Sequence, residues 1–284
     1  MSSDTSPWLV QPDALGRLGT AEPLQPHPVV HWEHDTASER TDQVAEECPV
    51  TIVYNGIPHV VMMATPTNLV DFVLGFSLTE GLIRSPKDLL AVACIPHARG
   101  IEMQATVAVE CEATIQGRTR RLSGRTGCGV CGSESVDAVL RPIPPVPHGR
   151  NVGGAVIHRA LDQLVARQEL NREAGAIHAA GWADFEGRVL LAREDVGRHN
   201  ALDKLIGAIH TAGIDPRQGF VVVTSRASFE MVHKAATLGT SLLVTVSGAT
   251  ALAVRMAHTA NLTLCGFARR DSHTVYTHQW RVTA

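Results

Sequence analysis

The second half of the chain alternates short apolar runs with stretches of helical spacing, and this alternation limits the possible folds more than any other feature. Strands are predicted at 188–193, 220–224, 242–246 and 262–267, and helices at 151–168, 200–210, 228–238 and 250–259. Near-continuous apolar strands separated by helices are typical of a parallel or mixed sheet that helices cover. The sequence therefore predicts an α/β domain over residues 149–284.

A smaller α+β part is predicted ahead of this domain, over residues 45–148. Its predicted elements are a hairpin of 49–54 and 59–63 around Asn55-Gly56, a helix capped by Thr67 and ended by Gly81, and a strand at 101–115. Residues 1–44 hold five prolines among polar residues and show no sustained period. They predict an irregular, Pro-rich extension.

Composition excludes several classes of protein. Lys and Arg number 25 against 28 Asp and Glu, a net charge of −3, so the chain has no basic field for general nucleic-acid binding. The N-terminus lacks the charged and apolar regions of a secretory signal, and no window approaches ~18 uninterrupted apolar residues. We therefore expect a cytoplasmic protein without membrane insertion, with its cysteines in a reducing compartment.

One stretch departs from both patterns. Residues 117–134 have no apolar period, contain five glycines and carry Cys128 and Cys131 at CxxC spacing. Because glycine leaves the backbone permissive, an exposed, mobile loop is predicted there. Four prolines between 142 and 147 then make a stiff connector to the second half.

Two cysteines at this spacing fit three chemistries. A zinc site needs two further ligands, but no second CxxC or spaced His pair accompanies them, so no structural metal is expected. A thioredoxin-like dithiol sits at a helix N-terminus straight after a strand, whereas a Gly-rich stretch precedes this pair. The third chemistry is a thiolate on a mobile arm, favoured by the charges of Arg118, Arg120, Arg121 and Arg125. An inert surface loop is the non-functional alternative.

Polar residues gather at the predicted carboxyl ends of the strands, where such sheets bind ligands. They are Asp195, Arg198, His199, Ser225, Arg226, Ser247, Arg269 and Arg270. Arginine pairs with phosphate oxygens, aspartate can accept from guanine N–H groups, and helix N-termini favour anions. Solvated loops with ordinary helix capping are the non-functional alternative. None of these strand-end segments is of the GxxxxGK or GxGxxG type, so ordinary ATP or dinucleotide binding is not predicted there.

Several separate segments of the chain resemble the FdhD family, the formate dehydrogenase accessory sulfurtransferases. They are residues 125–132, 193–204, 225–230 and 266–269, and residues 53–56 and 64–81 also resemble the family. The chain departs from the family pattern at Ala174, Ser225 and Ala249. The resemblance implies a cytidine deaminase-like mixed sheet without zinc chemistry, and a homodimer.

The same resemblance implies a reaction. Cys128 would form a persulfide with sulfur from a cysteine desulfurase, and Cys131 would assist it. The acceptor would be the molybdenum or tungsten bis(molybdopterin guanine dinucleotide) cofactor of the formate dehydrogenase catalytic subunit. This cargo would lie against Phe267, Ala268, Arg269, Arg270, Asp271 and Ser272. Two other hypotheses stay open, a cofactor chaperone without thiol chemistry and a structural zinc protein.

Overall fold

The computed structural model describes residues 21–122, 143 and 145–284. The helices are α1 (Leu69–Thr79), α2 (Glu112–Leu122), α3 (Gly154–Ala166), α4 (Glu169–Ala174), α5 (Arg198–Thr211), α6 (Phe229–Leu238) and α7 (Ala251–Thr259). The strands are β1 (Leu24–Glu33), β2 (Thr36–Ala45), β3 (Cys48–Tyr54), β4 (Ile57–Ala64), β5 (Leu89–His97), β6 (Gly100–Val107), β7 (Val152–Gly153), β8 (His178–Asp184), β9 (Val189–Asp195), β10 (Gly219–Val223), β11 (Leu242–Thr245), β12 (Thr263–Arg269), β13 (Ser272–Val275) and β14 (Val282–Thr283).

The larger sheet confirms the mixed α/β prediction. Its order is β13-β12-β11-β10-β8-β9. The neighbours β10, β11 and β12 run parallel, whereas β8 pairs antiparallel with both β9 and β10, and β13 with β12. The four predicted strands correspond to β9, β10, β11 and β12. The sequence did not reveal β8, because its alanines and glycine show no apolar period.

Helices cover both faces of this sheet, which explains its continuous apolar strands. Val221 and Val223 of β10 face the core shared with α5, α6 and α7. Val222, between them, faces the core shared with α3. Successive side chains of a strand point to opposite faces, so a strand covered on both sides needs apolar residues throughout.

The smaller sheet has the order β4-β3-β6-β5, and α1 packs on it. The predicted hairpin is confirmed, with Asn55 and Gly56 at φ 46° and 80° in a two-residue turn between β3 and β4. The predicted helix is confirmed as α1, but its N-cap is Asn68 rather than Thr67. Gly81 follows the helix at φ 61°, a left-handed conformation that glycine adopts without steric cost.

Two glycines let α1 and α5 cross in backbone contact. A Cβ added at Gly75 would overlap the carbonyl oxygen of Asp203, and one added at Gly207 would overlap that of Asp71. The two helices therefore join the smaller sheet to the α/β layer. The boundary between residues 45–148 and 149–284 stays a prediction.

The irregular extension predicted for residues 1–44 is wrong for its second half. β1 and β2 form an antiparallel hairpin that runs from Leu24 opposite Ala45 to Glu33 opposite Thr36. Most of its side chains are exposed, Val30 and Trp32 among them. A hairpin without a buried face needs no apolar alternation, which is why the sequence pattern did not show it. Residues 1–20 lie outside the described residues.

The first six positions of the loop predicted over 117–134 are helical instead. α2 continues through Gly117 to Leu122, and the predicted strand at 101–115 ends with β6 at Val107. Cys111 and Ile115 are buried against the smaller sheet and hold this helix in place. A glycine within a helix costs only about 1 kcal/mol relative to alanine, so packing can outweigh it. The remaining positions of the predicted loop, 123–134, lie outside the described residues.

His59 predicts a pH dependence of folding. Its ring packs against Tyr54 and Phe76, and burial lowers the pKa of His59 from 6.5 to about 4. Because the folded-state pKa is the lower one, the unfolded chain takes up the proton first, and stability falls as the pH drops from 6.5 to 4. The loss should be about 3 kcal/mol. Urea titrations at pH 7 and pH 4 should show a smaller loss for His59→Gln than for the wild type, and equal losses would contradict the assignment.

Candidate functional site

Chain direction brings the predicted polar residues to one edge of the larger sheet. β9, β10, β11 and β12 end there, and β8 begins there, since His178 pairs with Asp195. α5, α6 and α7 all start from the same edge. The unpaired N–H groups of helix N-termini favour anions. We call this edge the strand-end site, defined by Arg198, His199, Ser225, Arg226, Ser247 and Phe267.

Backbone hydrogen bonds join three loops of the strand-end site. The N–H of Ala227 donates to the carbonyl of Gly248 at 3.1 Å, and that of Phe267 donates to Ser247 at 3.1 Å. The N–H of Ser247 also donates to Ser225 at 3.5 Å. The loops after β10, β11 and β12 therefore form one continuous surface.

Phe267 gives this surface an exposed aromatic ring. Its φ of 50° lies in the left-handed region, which is uncommon for a bulky residue and often marks a functional position. The side chain is 49% exposed and its ring covers Gly248, where an added Cβ would overlap it. An exposed ring beside the Ser247 loop can stack on a planar base.

Of the other residues in the segment 267–272 that is predicted to contact the cargo, one is buried and four are exposed. Ala268 is buried with the residues that face α3. Arg269 pairs with Ser272 across the turn from β12 to β13, and Arg270 and Asp271 form its tip. These four residues are exposed, so two guanidinium groups project from the end of β12 into solvent.

Asp195 lies beside the strand-end site but faces inward. Its side chain has no exposed surface. It accepts from the N–H groups of Thr65 at 3.1 Å and Gly197 at 2.8 Å. Asn200 Nδ2 donates to it at 3.1 Å, and Lys204 Nζ lies 2.6 Å from Oδ2. Both carboxylate oxygens therefore have partners within the chain, and Asp195 fixes the turn from β9 to α5.

Arg198 and His199 open α5 at the strand-end site. Arg198 Nε is buried and has no hydrogen-bond partner among the described residues, an unsatisfied donor of the kind that functional sites contain. His199 Nε2 lies 3.0 Å from Glu230 Oε2, which also accepts from the Ser228 hydroxyl at 3.1 Å. Burial would raise the pKa of Glu230, but these contacts outweigh burial and lower that pKa. Burial and the charges of Arg198 and His199 lower the pKa of His178.

The structure thus gathers most of the predicted cargo residues on one edge. Arg226 and Ser247 are exposed there, while Ser225 is buried and its hydroxyl donates to the carbonyl of Arg226 at 3.1 Å. Cys128 and Cys131 lie outside the described residues. In the described ranges, 21–122, 143 and 145–284, no group of three or more His, Cys, Asp or Glu side chains is arranged to hold a metal ion.

Sequence reasoning missed a buried charge network next to the site. Lys234 of α6 donates to both carboxylate oxygens of Asp203 and to the hydroxyl of Thr79, each at 2.9 Å. Lys204, which follows Asp203 in α5, donates at 2.9 Å to the carbonyl of Thr65, a residue that precedes α1. Adjacent residues of α5 thereby bind both ends of α1. Charged residues within the buried length of α5 were the available signal, but their partners lie far away in sequence.

None of the helices in the described part of the chain combines the length and the apolar character needed to cross a membrane.

Comparisons with known proteins agree with this architecture. The sequence profile described as the FdhD/NarQ family matches residues 45–283. A protein of Xanthomonas campestris pv. campestris named Sulfur carrier protein FdhD is 52% identical over 241 residues, 85% of this chain and 86% of the relative. A protein of the same name from Bordetella bronchiseptica is 49% identical over 248 residues, 87% of this chain and 90% of the relative.

A solved structure has the same fold. It is the crystal structure of a protein assigned as a formate dehydrogenase accessory protein of Desulfotalea psychrophila, with a TM-score of 0.75 at 21% identity. The match covers 92% of this chain and 100% of that one. With the profile matching most of its length and relatives near half identity, the chain belongs to the FdhD/NarQ family.

Proposed function

We propose that the chain is a sulfur carrier for the maturation of formate dehydrogenase. It accepts persulfide sulfur from a cysteine desulfurase on Cys128. It then transfers the sulfur to the molybdenum or tungsten bis(molybdopterin guanine dinucleotide) cofactor of the catalytic subunit. The observation that carries the proposal is the strand-end site, whose helix N-termini, Arg226 and Phe267 suit an anionic nucleotide. The names of the two relatives supply the sulfur chemistry.

Loading breaks one S–S bond and forms another. The thiolate of Cys128 attacks the terminal sulfur of the persulfide on the desulfurase. The desulfurase cysteine leaves as a thiolate with the electron pair of the broken bond, and Cys128 becomes the persulfide. The exchange involves no net oxidation or reduction, so it needs no further reactant.

Release can follow two balanced routes. In the first, the thiolate of Cys131 attacks the inner sulfur of the Cys128 persulfide, and the terminal sulfur leaves as sulfide. The two cysteines are then oxidised to a disulfide, which a cellular thiol reduces again. In the second, the thiolate of Cys131 attacks the terminal sulfur, Cys128 leaves as a thiolate, and Cys131 becomes the persulfide. A cellular thiol then attacks the inner sulfur of this persulfide, so the outer sulfur leaves as sulfide and Cys131 forms a mixed disulfide that a second thiol reduces.

Different residues of the strand-end site contact different parts of the cargo. Arg226 and the N-termini of α6 and α7 bind phosphate oxygens. The ring of Phe267 stacks on a guanine, and Arg198 Nε donates to an oxygen of the cargo. Arg269 and Arg270 extend the positive charge past β12. Asp195 contributes by fixing the β9–α5 turn, since its own oxygens are already engaged.

A cofactor chaperone without thiol chemistry is the second candidate. Its support is that the strand-end site, as the described residues form it, contains no cysteine. A chain with both Cys128→Ala and Cys131→Ala that still matured formate dehydrogenase would favour this function over the sulfur carrier.

Mass spectrometry after incubation with a cysteine desulfurase and free cysteine tests the proposal. We expect the mass of one added sulfur atom on the peptide between Arg125 and Arg141, and its loss on thiol reduction. This peptide holds both cysteines, so the Cys131→Ala chain serves to locate the sulfur on Cys128. An unchanged mass with an active desulfurase would contradict the proposal.

We further propose that the carrier acts as a homodimer in the cytoplasm, where thiols stay reduced. Support for a second copy comes from β5, an edge strand of the smaller sheet that contains no Asp, Glu, Lys or Arg. Leu90 of this strand is 62% exposed. Long apolar edge strands tend to pair with another strand unless charges prevent it.

Light scattering should give twice the mass of the single chain. In the variant Ala93→Lys, which places a charge on β5, the measured mass should fall towards that of one chain.

A further inference from the structure

A buried threonine of the smaller sheet's β4–α1 loop holds the turn that leads into the strand-end site. Thr65, the first residue after β4, has no exposed surface. Its hydroxyl oxygen accepts from the N–H of Val196 at 3.1 Å, and its own N–H donates to Asp195 Oδ2 at 3.1 Å. Asp195 ends β9, and Arg198 of the strand-end site begins α5. Two hydrogen bonds therefore join Thr65 to the short turn that precedes Arg198.

Two residues of α5 bind the same stretch of chain. Lys204 Nζ donates to the carbonyl of Thr65 at 2.9 Å and lies 2.6 Å from Asp195 Oδ2. Asn200 Nδ2 donates to the carbonyl of Met63, near the end of β4, at 2.8 Å. The first turns of α5 and the chain on both sides of the β4 terminus thus form one hydrogen-bonded unit.

These bonds bear on the direction of the Arg198 side chain. Arg198 Nε is buried and has no hydrogen-bond partner among the described residues, so no contact at Nε fixes where it points. The backbone before it is closely packed, because a Cβ added at Gly197 would lie 2.9 Å from Asn200 Nδ2. The position of this unsatisfied donor is therefore set by the turn that Thr65 holds.

We propose that Thr65 is a positioning residue for the cargo of the strand-end site. It holds the β9–α5 turn in the place from which Arg198 Nε donates to the cargo. Cargo binding then depends on the smaller sheet, although every residue that defines the strand-end site lies within 149–284. This inference rests on the proposed function, because it concerns the cargo that the proposed function assigns to this site.

Thr65→Val tests the role of the hydroxyl. Valine replaces the hydroxyl by a methyl group and leaves the N–H of Val196 without its acceptor. The probe is GDP, which carries the guanine base and the diphosphate of the proposed cargo. Isothermal titration calorimetry on the intact chain should show the affinity for GDP fall by about tenfold. Thr65→Ser keeps the oxygen and should bind GDP as the wild type does.

Thr277→Val is the matched control for loss of stability. Thr277 is also buried, and its hydroxyl accepts from the N–H of Leu264 at 2.9 Å and donates to the carbonyl of Leu262 at 2.7 Å. These bonds lie where β12 begins, at the opposite edge of the larger sheet from the strand-end site. Both valine variants should lower the urea midpoint, but only Thr65→Val should weaken the binding of GDP.

A double variant tests whether Thr65 acts through Arg198. Arg198→Met removes the Nε donor and should itself weaken the binding of GDP. Adding Thr65→Val should then cause no further loss, because the group that Thr65 positions is absent. If Thr65→Val does not fold, Asn200→Ala takes its place in both measurements, since it removes the bond to the carbonyl of Met63.

Three results would overturn the inference and leave the cargo site intact. They are wild-type affinity in a folded Thr65→Val chain, an equal loss of affinity in Thr277→Val, and the same loss from Thr65→Val with and without Arg198. A wild-type chain that binds no GDP would overturn the cargo role of the strand-end site, and the positioning role with it. Sulfur loading by the desulfurase tests the carrier chemistry separately.

Discussion

A chain in which alanine replaces Cys128 is expected to leave formate dehydrogenase without activity. Alanine has no sulfur atom to accept the transferred group, and the loss of a nucleophile removes the covalent step altogether. The measurement is formate dehydrogenase activity in cells that carry the variant as their only copy of this chain. Full activity in that strain would refute the persulfide mechanism.

The described cysteines offer no substitute for Cys128. Burial raises the pKa of Cys48 to about 11 and that of Cys265 to about 12, and it also raises the pKa of Cys111. These thiols stay protonated near neutral pH, and the thiolate is the reactive form. Cys94 is exposed, but it lies on β5 of the smaller sheet. Cys94→Ala is therefore the matched control and should retain full activity.

Cys131→Ala should be milder than Cys128→Ala. In both release routes Cys131 acts after loading, so its absence slows release without preventing the formation of the persulfide. The variant should still gain one sulfur atom from the desulfurase, and formate dehydrogenase should keep part of its activity. Equal losses in the two variants would contradict this order of steps.

Gly207→Ala is expected to destabilise the fold by about 3 kcal/mol or more. The added methyl group would overlap the backbone carbonyl of Asp71, so α1 and α5 would have to separate. Overpacking in a core commonly costs 1–3 kcal/mol, and a clash with backbone cannot be relieved by a change of rotamer. Urea denaturation should show the midpoint fall sharply. An unchanged midpoint would mean that the helices do not cross this closely.

Gly117→Ala is the matched control for this substitution. Gly117 also lies within a helix, but no described atom comes within 4 Å of an added Cβ. Because alanine is the stronger helix former, this variant should gain up to about 1 kcal/mol. If the same substitution lowers the stability of the fold at Gly207 and raises it at Gly117, the loss at Gly207 comes from the close crossing of α1 and α5 and not from the helix propensity of glycine.

Much of the α/β layer could be predicted because a strand that is buried on both faces needs a continuous run of apolar residues, and such runs are visible in the sequence. That is why β10 and β11 were found, whereas β8, built largely from alanine and glycine, was not. The β1–β2 hairpin was missed for the opposite reason, since it has little buried surface to impose a pattern. The end of α2 was predicted wrongly because Gly117 indicated a loop, and the sequence does not show that Ile115 packs against the smaller sheet.

The position of these polar residues could be predicted because residues that follow parallel strands meet at one edge of the sheet by topology alone. The direction in which a side chain points could not. Asp195 seemed suited to accept from a base, yet it turns inward to Lys204 and Asn200. The partners of Asp203 were equally hidden, because ion pairs between distant segments leave no periodic trace in a sequence.

The arrangement of Asp203 and Lys204 limits how the chain can change in length. These neighbours pair not with each other but with Lys234 and Asp195 on different sides of α5. A helix turns by about 100° per residue. Inserting or deleting one residue between Asn200 and Asp203 would rotate both charges away from their partners in a single step. Insertions and deletions among related chains should therefore avoid this turn of α5, even where substitutions accumulate around it.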